Sequence, residues 1–144
     1  MNAQSKSDSH RIKNLQIFLR IFGVIQLALF GFLFIAFALK MESLNRGGNL
    51  FWLNWDDVHG HVAPMLITIY LVWAVYFLVA AKNPARYRSF LDFTMWANLF
   101  HGLVMIPMAF DDEMYHIKFL TDIPLCFILA LGIYLWRPDN LENS

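Results

Sequence analysis

Apolar residues gather in four long stretches, Ile21 to Leu39, Val62 to Ala81, Phe93 to Phe110 and Phe119 to Trp136. Almost no charge interrupts them. A bilayer core about 30 Å thick needs roughly 20 apolar residues of helix at about 1.5 Å per residue. Four such stretches leave little chain for a soluble domain. The pattern predicts an all-α fold, an integral membrane antiparallel four-helix bundle forming a single membrane domain. The spans are expected over about 15–40, 59–82, 85–110 and 118–136, with 41–58 as an external interfacial loop.

Breakers and caps divide the chain further. Lys82-Asn83-Pro84-Ala85-Arg86 reads as a tight turn between spans two and three. Asn83 suits an N-cap and Pro84 a first-turn position of the third helix. Gly47-Gly48 breaks the first external loop, and Phe51, Trp52 and Trp55 after it predict a short helix on the membrane surface. Trp at a span end fits an interfacial aromatic belt. Pro64 and Pro124 fall in first turns, whereas Pro107 is placed to kink its helix.

Charge sets the orientation. Lys6, Arg11, Lys13, Arg20, Lys82, Arg86, Arg88 and Arg137 lie on one side of the four spans. Only Lys40, Arg46 and Lys118 lie on the other, with Glu42, Asp56, Asp57, Asp111, Asp112 and Glu113. Cytoplasmic segments are enriched in Lys and Arg. Both termini and the middle link are therefore expected in the cytoplasm, N-in and C-in. The first apolar run is too long for the 7–15-residue core of a signal peptide and reads as an uncleaved helix. Arg88 and Asp92 are spaced to pair at i and i+4.

Composition agrees, with 58% hydrophobic and 15% charged residues, against about 25% charged in a soluble domain. The single cysteine, Cys126, forms no internal disulfide and supplies no CxxC motif. There is no phosphate-binding glycine loop, GxSxG or HExxH, so no motif marks an enzyme. The basic residues follow topology and do not form a nucleic-acid surface.

Ionisable groups inside a membrane are costly, so they pair or carry function. Here they collect near the outer ends of three spans. His59 and His61 open span two, His101 lies in span three, His116 in the second outer loop, and Asp122 opens span four. His61 and Met65 share a helix face, as do His101 and Met105. By rise alone, His61 lies about 5 Å deep, Met65 about 10 Å, Met105 about 8 Å and His101 about 13 Å. His61, His101, Met65, Met105 and Asp122 are thus candidate ligands of one metal pocket. Imidazole with thioether suits copper, and His–His or His–Met pairs hold haem iron. The same residues also suit a structural or partner-facing polar network, or a lipid, quinone or proton pathway.

His61 with Pro64-Met65, the run Phe93-Thr94-Met95-Trp96, His101 with Met105, and His116 followed by Asp122-Ile123-Pro124 give the chain a resemblance to small bacterial four-span inner-membrane proteins. The similar groups are the DoxX-like and BphX-like proteins. The resemblance implies a bacterial inner-membrane location, often near oxidative metabolism, and implies no reaction or catalytic residue. The function expected from these readings is an accessory or assembly subunit of a larger membrane complex, or a homo-oligomer, in contact with lipid. A copper- or haem-binding redox protein and a small-molecule, quinone or proton pathway are the alternatives.

Overall fold

The computed structural model describes residues 3–55 and 58–137, with side chains from Asp8 onward. Among them it is all-helical, with four long helices and no strand: α1 (Ala3–Ala38), α2 (Val62–Ala80), α3 (Arg88–Phe110) and α4 (Asp122–Trp136). The stretches Asp8–Ala38, Val62–Ala80, Arg88–Phe110 and Glu113–Trp136, the last including a 3-10 segment ahead of α4, are long and apolar enough to cross a bilayer. Helix α1 begins well ahead of its apolar run. Residues 3–22 contain no glycine or proline, and Ala, Gln, Lys, Arg and Leu are good helix formers.

The end of α1 is a Schellman motif. Lys40 takes the left-handed position at φ 52°. Its N–H donates to Phe37 O at 3.1 Å, and the Met41 N–H reaches back to Ala36 O at 3.0 Å. Met41 then packs against the Ala36–Phe37 cluster, which is the hydrophobic contact this motif favours.

Segment 39–61 holds two 3-10 turns, Glu42–Leu44 and Phe51–Leu53, in place of the expected single surface helix. Gly47 and Gly48 separate them. Gly47 sits at φ 85°, and a Cβ on Gly48 would lie 2.2 Å from Ser43 O. Leu44 and Phe51 turn inward and are buried. A third 3-10 segment, Glu113–Phe119, leads into α4. Its cap is Asp112, whose carboxylate accepts from Met114 N–H.

The turn between α2 and α3 also differs from expectation. Asn83 Oδ1 accepts from Arg86 N–H at 3.3 Å, and Tyr87 N–H donates to Pro84 O. Asn83 therefore caps a separate turn, and α3 starts later, at Arg88. Pro64 and Pro124 occupy first turns, while Pro107 lies inside α3.

Packing pairs α1 with α2 and α3 with α4, and α1 also touches α4. Small residues sit where backbones approach. A Cβ on Gly23 would meet Leu78 of α2 at 2.8 Å, and one on Gly102 would meet Cys126 of α4 at 3.2 Å. A Cβ on Gly132 would meet the Phe18 ring of α1 at 2.3 Å. Helices α2 and α3 are neighbours in sequence, yet their contact is made by large side chains. Trp73 stacks near Phe93, and Phe77 meets Phe90 edge-on.

The core is continuous at the end holding the start of α1 and the end of α4. There Leu15, Leu19, Phe77, Leu91, Leu129 and Ile133 form one cluster from all four helices. Toward the opposite, distal end the core divides. Leu33, Phe37, Leu44 and Ile67 form one lobe on α1 and α2. Met105, Ala109 and Ile123 form the other on α3 and α4.

Candidate functional site

Polar groups link α2 to α3 from the shared four-helix core outward toward the division between the two lobes. Thr94, in the second turn of α3, is fully buried, and its Oγ1 accepts from Trp73 Nε1 of α2 at 2.9 Å. One turn on, Asn98 Nδ2 donates to Thr94 O at 2.9 Å. Two turns beyond Thr94, His101 Nε2 lies 3.1 Å from the Tyr70 hydroxyl of α2. Tyr70 is fixed by Phe30, stacked on it at 4.7 Å, and by Trp73 at 5.9 Å. A ladder of hydrogen bonds and rings thus joins α2 to α3 where their backbones stay apart.

The distal end is closed by a second group. Lys118 has a fully buried side chain, and its Nζ donates to Trp52 O at 2.7 Å and to Asp122 Oδ2 at 3.0 Å. Trp55 Nε1 donates to the same oxygen at 2.6 Å. The Lys118 ammonium also lies 5.0 Å from the centre of the Trp55 ring, a cation–π distance. Tyr115 stacks on Trp55 at 5.1 Å and donates its hydroxyl to Trp55 O at 3.2 Å. Arg46 pairs with Asp112 between the two segments. Apart from the Lys118–Asp122 pair itself, these contacts tie segment 39–55 to segment 112–122. Burial of a charge is costly unless it is paired and hydrogen-bonded, and Lys118 meets both conditions.

The five proposed ligands meet different surroundings. His61 is exposed beside the first turn of α2, and Met65 is 68% exposed. Met105 points the other way, 5% exposed inside the α3–α4 lobe. His101 is held by Tyr70, and Asp122 by Lys118 and Trp55. Among the described residues no group of three His, Cys, Asp or Glu side chains is placed to hold a metal ion. His59 faces Glu42 at 3.4 Å, and His116 is exposed near the rings of Phe110 and Phe119. Asp56 and Asp57 lie outside the described residues.

Sequence reasoning had left Lys118, Tyr70, Trp73 and Thr94 unassigned. The i, i+4 spacing of Lys118 and Asp122 was the available signal for the first. Trp55 reads from sequence as a belt residue, and only the fold reveals its donor to Asp122.

At the other end of the bundle, Arg11 Nη2 donates to Leu135 O at 3.3 Å and Arg137 O at 3.4 Å. These are carbonyls at the end of α4, where helical partners run out and the dipole favours a cation. Asp92 pairs with both Arg88, at 3.9 Å, and Arg137. No protein-family model, curated protein or solved structure matches the chain.

Proposed function

We propose that the chain is an integral membrane antiparallel four-helix bundle with both termini and the α2–α3 link in the cytoplasm. In this reading it sits in a bacterial inner membrane, as a non-catalytic accessory or assembly subunit of a larger complex or as a homo-oligomer. The register of side-chain contacts supports the antiparallel arrangement: along α1 and α2, Gly23 faces Leu78 and Phe30 faces Tyr70.

One observation carries the functional reading. The buried ionisable pair at the distal end braces the chain, since Asp122 accepts from both Lys118 and Trp55. Reactive chemistry needs such a group poised toward a substrate. What the bundle presents outward is apolar surface, including Ile25, Ile69, Val104 and Leu131. A subunit role requires that surface and no substrate site. Purification in a mild detergent should yield a complex well above the 16.8 kDa of the chain plus its micelle. A clean monomer under those conditions counts against the subunit reading. Labelling of cysteines placed at Arg46 and Ala85 tests topology separately, and both reacting from one side would refute it.

A second reading is favoured by the Tyr70–His101 pair. His101 is exposed on α3, at a depth where a polar side chain facing lipid needs a partner. A quinone-like ring with a carbonyl acceptor would find aromatic walls and a hydrogen-bonding imidazole there. Saturable quenching of tryptophan fluorescence by a soluble quinone, lost in His101→Ala, is the result that distinguishes it.

A further inference from the structure

We infer that the groove between α3 and α4 is a binding site for an anionic phospholipid of the cytoplasmic leaflet. The groove holds about 470 Å³ and is walled by Trp96, Leu99, Phe127, Leu131 and Tyr134. Arg137 stands at its mouth. The walls offer a chain nothing but apolar and aromatic surface, while the mouth offers a guanidinium.

Length supports a lipid tail. From Arg137 back to Phe127, α4 rises about 15 Å, which is half of a hydrocarbon core about 30 Å thick. The groove thus runs the depth of one leaflet, from headgroup level to the midplane. A water-soluble ligand has no use for such a slot.

Charge supports an anionic headgroup. Guanidinium binds phosphate oxygens through paired N–H donors, and basic pockets on the cytoplasmic side suit such lipids. Arg137 lies over the Tyr134 ring at 5.8 Å and pairs with Asp92, so its position at the mouth is set from two sides. Arg11 and Arg88 flank it, through the end of α4 and through Asp92 respectively. In sequence this face carries eight Lys and Arg residues against Asp8, Asp92, Asp139 and Glu142. Around the mouth, Arg11, Arg88 and Arg137 outnumber Asp92.

The inference rests on the proposed cytoplasmic placement of this end, and its test does not depend on sidedness. Full-length protein is equilibrated in micelles with equal phosphatidylglycerol and phosphatidylcholine, then analysed by native mass spectrometry. Retained phosphatidylglycerol should exceed phosphatidylcholine about fivefold, the preference expected from one arginine at a headgroup. Arg137→Gln should bring the two to parity, while Arg137→Lys keeps part of the preference. Leu131→Trp, on an exposed wall, should reduce retention of both lipids without touching the core. Arg46→Gln, at the opposite end, should leave the ratio unchanged. Parity in the wild-type protein overturns the inference, as does a preference that survives Arg137→Gln or a retention that Leu131→Trp leaves unchanged. If the lipid preference holds while Ala85 labels from outside, the anionic-lipid site stands, and its cytoplasmic placement falls with the topology.

Discussion

Lys118 directs a fully buried ammonium at Asp122, one turn later, and the two meet at 3.0 Å. The lysine opens the approach to α4, and the carboxylate begins that helix. A single carboxylate oxygen also receives the indole N–H of Trp55, so the pair holds the first distal segment as well.

Removing the acid should therefore cost more than removing the base. Asp122→Ala leaves a buried ammonium with only the Trp52 carbonyl, and the expected loss is about 3 kcal/mol. Lys118→Met keeps the aliphatic shape and removes the charge, so its loss should be smaller. Denaturation midpoints of the two variants in the same detergent check the order. Equal losses would show that the stranded ammonium costs no more than its removal.

Two glycines of different surroundings provide a packing test. Gly132 faces the Phe18 ring, itself placed against Phe22 and Trp136. Gly132→Ala should destabilise by about 1–3 kcal/mol through overpacking. Gly31 has nothing within 4 Å of an added Cβ. Gly31→Ala should be neutral or stabilising, by up to about 1 kcal/mol from helix propensity. Thermal unfolding of both variants reads the difference.

A double-mutant cycle on Trp73 and Thr94 measures the α2–α3 ladder. Thr94→Val strands the indole donor and should cost about 1–3 kcal/mol. The coupling between Trp73→Phe and Thr94→Val should fall near about 0.6 kcal/mol, the usual value for helix–helix hydrogen bonds in membranes. A coupling of zero would mean that the Trp73–Thr94 hydrogen bond contributes nothing to holding α2 to α3.

Lys40 occupies a backbone position that favours glycine. The left-handed conformation costs a residue with a Cβ about 1 kcal/mol or more. Lys40→Gly should raise stability by about 1 kcal/mol, less the extra entropy that glycine gives the unfolded chain. An unchanged denaturation midpoint would show that this entropy cancels the gain.

The four helices were legible because their apolar runs are long and lightly charged, and the ends of α2 and α3 lie near the punctuation that Pro64, Asn83 and Asp111 provide. Charge spacing also pointed correctly to the Arg88–Asp92 pair. Depth along a helix, computed from rise, placed His61 level with Met105 and Met65 level with His101. It carried no information about rotation. Met65 turns to the surface and Met105 into the core, because 3.6 residues per turn fix a face only once the neighbouring helix is known. The same limit hid the partner of His101, which lies on α2, a chain distance of 31 residues away at Tyr70. Lys118 was obscured by its type: lysine is almost never fully buried unless paired, and its pairing depends on a loop that folds back over the bundle.

The division of the core gives the molecule two unequal halves. Where all four helices share Leu15, Phe77, Leu91 and Ile133, no helix can leave without exposing the others. At the distal end each helix pair keeps its own small core, and among the described residues the contacts across the gap are hydrogen bonds, rings and the Arg46–Asp112 ion pair. Breathing motions follow that gradient, since local opening is easiest where the fewest apolar contacts must part. The bundle is built like tongs, with a rigid pivot among the arginines and a latch at Asp122 that sets how far the two arms can spread.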